Sequence, residues 1–179
     1  GETNGDIRSE LPNHKGGVFS IAFANDGRNM VTGSGDASVR LWDVQTGEDR
    51  GCLRTHNGPV LCVAISQNGD LLASGGGDQV ALVYSTADGM VKGTLQGHKG
   101  AIRSLIFSPD AQTLLTGSED NTIIAWDLET FEQMVTLKEH KGTVNCLCFS
   151  HNGALFASAS DDKRIGIWSG HDATLHEML

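Results

Sequence analysis

Proline is scarce in this chain of 179 residues, with three in all; there is one tyrosine, and aromatics make up only 6%. With so few prolines, none falls centrally in a strand. The four cysteines, Cys52, Cys62, Cys146 and Cys148, form no C-x-x-C pair and are too sparse for a small disulfide scaffold. No N-x-S/T acceptor occurs, no signal-like apolar stretch opens the sequence, and no apolar run approaches the length that spans a bilayer. These absences point to a reducing, intracellular compartment, cytoplasmic or nuclear, with no membrane contact. Positive charge is also in short supply: 13 Lys and Arg face 22 Asp and Glu, a net charge of −9. An acidic surface repels phosphate backbones, so nucleic acid is not the expected direct ligand. A basic peptide, or a basic face on a partner, is the easier complement.

What the chain has in abundance is repetition. His14, His56, His98 and His140 recur every 42 residues, each followed two positions later by Gly16, Gly58, Gly100 or Gly142. Val18, Val60, Ile102 and Val144 keep the same register, as do Thr32, Ser74, Thr116 and Ser158. Asp36, Asp78, Asp120 and Asp162 form another series, and Trp42, Tyr84, Trp126 and Trp168 another. Leu11, Leu53, Leu95, Leu137 and Leu179 run one step longer than the rest. A strict period of this length, without insertion or deletion, signals stacked copies of one supersecondary unit.

Within each unit the pattern is β. Short apolar runs such as Val18 to Phe23 end in turn clusters: Asn25-Asp26-Gly27, Gln67-Asn68-Gly69, Pro109-Asp110-Ala111 and His151-Asn152-Gly153. Thr113 to Gly117 typifies a second strand and Thr122 to Trp126 a third, joined by a tight turn around Asp120. A looser turn near Asp88-Gly89 precedes a fourth, Val91 to Leu95. Four short strands per period give an all-β fold, a β-propeller of four-stranded antiparallel blades. The boundaries read as an N-terminal segment 1–13 followed by repeats 14–55, 56–97, 98–139 and 140–179.

From about Ile7 to Leu179 the chain resembles the WD-repeat family. The name-giving pair stands as Trp42-Asp43 and Trp126-Asp127 and is degraded to Tyr84-Ser85 and Trp168-Ser169. The resemblance implies a buried network of loop histidine, second-strand hydroxyl, turn aspartate and third-strand tryptophan. Its members here are His14, Thr32, Asp36 and Trp42; His98, Thr116, Asp120 and Trp126; and His140, Ser158, Asp162 and Trp168. In the second repeat His56, Ser74 and Asp78 meet Tyr84, whose hydroxyl sits elsewhere than an indole N–H, so a weaker or rearranged network is expected there. A buried carboxylate needs several donors, which gives each aspartate a physical reason for its imidazole and hydroxyl.

The same His/Ser/Asp set could be read as a catalytic triad, but four identical copies at fixed spacing favour a structural role. No catalytic residue, metal site or cofactor is expected; the histidines lack metal-ligand spacing. Gly75-Gly76-Gly77 lacks the lysine and helix of a phosphate loop. Cys146 and Cys148 align with Ser20, Ala22, Cys62 and Ala64 and read as small core filler.

The resemblance also implies a partner-binding face at the loops before the first strand and between the second and third. The positions that reach it are Gly17, Phe19 and Gly35; Pro59, Leu61 and Gly77; Ala101, Arg103 and Glu119; Thr143, Asn145 and Asp161. The first half is apolar (Phe19, Pro59, Leu61), the second polar (Arg103, Glu119, Thr143, Asn145, Asp161), the character of an anchor beside a polar rim. The expected function is a non-catalytic scaffold for proteins or peptides. Alternatives are a regulatory sensor propeller belonging to a larger NTPase or kinase, and an enzyme with a channel active site. Family members commonly close with seven or eight blades, and both Ile7 to Pro12 and Thr174 to Leu179 align with fourth strands. Hence the chain reads as a segment of a longer propeller, as half of an eight-blade homodimer, or as a compact four-blade ring.

Overall fold

A computed structural model describes residues 11, 13–53 and 56–179. Sixteen strands form four antiparallel sheets, each of four strands in sequential order. The first blade contains β1 (Val18–Phe23), β2 (Asn29–Ser34), β3 (Val39–Asp43) and β4 (Asp49–Leu53). The second contains β5 (Val60–Ile65), β6 (Leu71–Gly76), β7 (Val80–Ser85) and β8 (Val91–Gln96). The third contains β9 (Ile102–Phe107), β10 (Thr113–Ser118), β11 (Ile123–Asp127) and β12 (Gln133–Leu137). The last contains β13 (Val144–Phe149), β14 (Leu155–Ser160), β15 (Ile165–Ser169) and β16 (Leu175–Met178). The all-β blade architecture expected from the period is therefore present. Of the additional N-terminal strand expected over Ile7 to Pro12, only Leu11 belongs to the described residues, and it is not in a strand.

Short strands alone do not bury enough surface, and the blades stabilise one another by stacking. Val31 and Val39 of the first blade pack on Val60, Val63, Leu72 and Tyr84 of the second. Ala81, Val83 and Leu95 of the second meet Ile102, Leu105, Leu114 and Trp126 of the third. Leu115, Ile123 and Ala125 of the third meet Val144, Leu147, Phe156 and Trp168 of the fourth. Each core thus joins the trailing face of one blade to the leading face of the next.

The inner strands β1, β5, β9 and β13 neighbour one another in that order, but β1 and β13 have no comparable strand on their other side among the described residues. The four blades form an open arc. Its cost is visible at both ends. Val18 and Ile21 are 53% and 56% exposed, whereas their counterparts Val60 and Leu105 are 0% and 4%. At the other end Ile165 is 46% exposed against 1% for Ile123. This overturns the core-filler reading of Cys146 and Cys148: both thiols are exposed, while Cys62 in the same register is buried. The cysteines face the side of the fourth blade on which no further blade is packed.

Candidate functional site

The site begins with the four networks that hold the loops. In the third blade the His98 imidazole lies 2.9 Å from the Asp120 carboxylate and 2.8 Å from the Thr116 hydroxyl. Trp126 donates its indole N–H to the same hydroxyl at 2.8 Å, and the Lys99 backbone N–H donates to Asp120 at 2.8 Å. The arrangement that satisfies every group runs in one direction: Trp126 N–H to Thr116, Thr116 O–H to His98 Nε2, and His98 Nδ1–H to Asp120. Burial pushes the His98 pKa down, against the pull of Asp120, which suits the neutral imidazole this relay needs.

The other blades repeat the geometry. His14 contacts Asp36 at 3.3 Å and Thr32 at 2.6 Å, and Trp42 donates to Thr32 at 2.8 Å. His140 contacts Asp162 at 2.8 Å and Ser158 at 2.7 Å, and Trp168 donates to Ser158 at 2.8 Å. In the second blade His56 contacts Asp78 at 2.9 Å and Ser74 at 2.7 Å, and the Ser74–Tyr84 hydroxyl contact is longer, 3.1 Å.

Burial opposes ionisation of Asp120, but hydrogen bonds from Thr122, the Lys99 N–H and His98 outweigh it and hold the carboxyl down to about 2. Asp162 behaves alike: burial is outweighed by Lys141, His140 and Arg164, again giving about 2. Asp36 is likewise held well below the carboxylate range, by Ser38, Lys15 and His14 against its burial.

Gly16, two residues after His14, explains the second repeated series. A β-carbon there would stand 2.7 Å from the Asp36 backbone nitrogen, so only glycine lets the histidine loop approach the turn this closely. The hydroxyls of Ser74 and Ser158 are buried and already engaged with imidazole and phenol or indole. That is the opposite of an exposed nucleophile. Among the described residues no group of three or more His, Cys, Asp or Glu is placed to hold a metal.

On this frame each first strand carries a β-bulge. The pairing jumps from Val18 to Ser20 opposite Ser34 and Gly33, leaving Phe19 as the extra residue. Leu61, Arg103 and Asn145 are skipped in the same way in the other blades. A bulge re-aims the side chain of its extra residue, here toward the histidine end of the blades. The family resemblance implied these four positions; the bulge that singles them out has no sequence signal of its own.

Their neighbours differ between halves of the arc. The Phe19 ring lies against Gly17 and Gly35, and the Pro59 ring against Gly77. Phe19 is 58% exposed. Pro59 is exposed and Leu61 half-buried. Arg103 and Glu119 form an ion pair at 2.7 Å, both partly solvated. Asn145 donates its amide to Asp161, and Thr143 is half-buried beside them. Ala101 is half-buried, its carbonyl accepting from the Glu119 N–H at 2.9 Å.

Comparison with known proteins agrees with the repeat. The family model described as WD domain, G-beta repeat matches four times, over residues 5–43, 47–85, 88–127 and 131–169. The Notchless protein of Drosophila melanogaster is 47% identical over 38 residues, covering 21% of this chain and 8% of that protein. The target of rapamycin complex subunit LST8 of Saccharomyces cerevisiae is 42% identical over 48 residues, 23% of this chain and 16% of that one. The guanine nucleotide-binding protein subunit beta of Lymnaea stagnalis is 43% identical over 47 residues, 26% and 14% respectively. The matched region thus spans less than a fifth of the length of each of these relatives. With four antiparallel blades and four matches to one repeat model, this chain belongs to the WD40 repeat family.

Proposed function

We propose that the chain is a non-catalytic scaffold whose histidine-end face receives a protein or peptide partner. The observation that carries this reading is the bulge series: Phe19, Leu61, Arg103 and Asn145 are turned outward on a frame fixed by buried networks. Phe19, Pro59 and Leu61 act as the apolar anchor. Arg103, Glu119, Thr143, Asn145 and Asp161 form the polar side that sets orientation. The net charge of −9 favours a partner with a basic surface. Two of the relatives are named as subunits, which supports a role within an assembly. Three exposed free thiols suit a reducing compartment.

The test is comparative capture of partners by the unsubstituted chain, Phe19→Ala and Arg103→Ala, quantified by mass spectrometry. Phe19 is mostly solvated, so its truncation leaves the fold intact; loss of a central aromatic anchor weakens binding by about 2 kcal/mol or more. Identical capture by all three proteins would rule this face out.

A further inference from the structure

At the opposite end of the blades the turns between third and fourth strands differ in one decisive position. Gly47, Gly89, Phe131 and Ala173 occupy the same register, and all four adopt positive φ, at 71°, 70°, 59° and 57°. Each donates its N–H to the carbonyl four residues earlier, at 2.8 to 3.1 Å. The backbone is therefore the same in every blade and only the side chain changes.

Between the second and third blades Phe131 fills the gap. Its ring lies on β8 at Gly93, where a β-carbon would stand 2.2 Å from the ring. It packs against the core shared by those blades. Between the third and fourth blades the pair is Ala173 and Val135, and a cavity of only about 80 Å³ remains. Between the first and second blades both positions are glycine, Gly89 and Gly51, and both line the gap; a β-carbon on Gly89 would stand 3.0 Å from the end of the Leu53 side chain. A β-carbon on Gly51 would meet nothing within 4 Å. The result is a groove of about 840 Å³.

Val31, Leu41, Leu53 and Ile65 line its apolar part. Asp26, Glu48 and Asp88 line its rim, and among the described residues none of these three takes part in an ion pair. Asp49, also on the rim, is paired with Arg40. The lining guanidinium, Arg50, is committed to Asp43. Asp26 accepts from the Arg28 and Asn29 backbone N–H groups and Asp88 lies within electrostatic reach of Lys92. The groove therefore offers an acidic rim, partly offset by Arg28 and Lys92, around a hydrophobic slot.

From this contrast we infer a second binding site: the groove between the first two blades takes an aromatic side chain of a partner polypeptide, flanked by Lys or Arg. The partner supplies from outside what Phe131 supplies from within one blade further on. Phe131 fixes the class of side chain that fits, and the rim fixes the sign of its neighbours. The site lies away from Phe19 and Arg103 and does not depend on the role proposed for them.

The probe is a fluorescein-labelled Gly-Lys-Arg-Phe-Arg-Lys-Gly peptide, titrated by anisotropy against the 179-residue chain beside its alanine-centred counterpart. Burying the phenyl ring makes the alanine peptide about tenfold weaker or more. Gly89→Phe fills the groove with the residue the third blade already holds at the same φ. It reduces the phenylalanine peptide to the affinity of the alanine one. Exposed Cys52 lines the groove, so the peptide slows its alkylation in the unsubstituted chain, whereas Cys146 and Cys148 react at unchanged rates. Should Gly89→Phe fail to fold, this protection and a Glu48→Lys/Asp88→Lys double variant, which loses peptide binding, decide the matter. Equal affinity for both peptides, or Cys52 unprotected at saturation, overturns the site. Phe19→Ala leaves the peptide's affinity unchanged, which separates failure here from failure of the scaffold face.

Discussion

Thr116→Val tests the logic of the buried relay most directly. Valine is close to threonine in size, so no cavity opens; the loss is mainly of hydrogen bonding, with a methyl replacing the hydroxyl close to two ring nitrogens. The hydroxyl is fully buried; it accepts from Trp126 Nε1–H at 2.8 Å and meets His98 Nε2 at 2.8 Å, with the Ile124 carbonyl a longer third contact at 3.3 Å. A buried polar group left without a partner costs about 1–3 kcal/mol. Two such groups sharing one hydroxyl are not additive, so about 3 kcal/mol is the expected total. For a chain of this size that corresponds to a fall in Tm of roughly 6–12 °C. Urea titration followed by tryptophan fluorescence and by circular dichroism measures it, with coincident transitions required before a single free energy is assigned. A double-mutant cycle with Trp126→Phe isolates the indole–hydroxyl contact, whose coupling is about 1 kcal/mol. A loss below about 0.5 kcal/mol for Thr116→Val would refute the idea that this relay stabilises the blade. Ser74→Ala in the second blade serves as the internal contrast. The phenol contact there is longer, 3.1 Å, and Tyr84 has a further interaction of its own, so the loss is smaller.

Acid sensitivity follows from the turn aspartates. The Asp120 and Asp162 carboxyls sit at about 2 in the fold against 3.8 for the free group, so their contribution is complete above about pH 4 and disappears as pH falls through 2. Melting temperatures across that window should drop less steeply for Asp162→Asn than for the parent chain; parallel curves would contradict the linkage. Gly93→Ala places a methyl group against the Phe131 ring and should cost about 1–3 kcal/mol by overpacking, read by urea unfolding. Gly51→Ala meets open space and so tests only the backbone: at a φ of 154°, which side-chain-bearing residues rarely adopt, it should cost about 1–3 kcal/mol by strain alone. Alkylation of the native chain should modify Cys52, Cys146 and Cys148 and spare Cys62 until the chain unfolds. Protection of Cys146 and Cys148 at high concentration would show the fourth blade's open face covered by a second copy.

The 42-residue period and the strand pattern were legible in the sequence, and the residues of each network stand out in it as repeated series, their grouping being what the family resemblance implied. All three depend on residues close in register, and every blade solves the same local problem with the same residue types. His14, Thr32, Asp36 and Trp42 can be picked out because three further sets repeat their spacing. What repetition could not convey is how equivalent positions come to differ. Cys62 and Cys146 occupy one register, yet one thiol is buried and the other exposed, because burial depends on whether another blade is packed against that face. Phe19 and Arg103 are equivalent by counting, but the bulge that turns both outward arises only when β1 and β9 pair with their neighbouring strands. The groove shows the limit most clearly. Gly89 and Phe131 are one period apart and share a backbone conformation, yet Phe131 packs on Gly93 of the preceding blade while Gly89 lines an open groove. Sequence by itself determined the blade, since hydrogen bonding and side-chain alternation act within a few dozen residues. Only the stacking of one blade on the next decided which surfaces are core, which are open, and where a cavity remains, because packing is a property of two faces in contact.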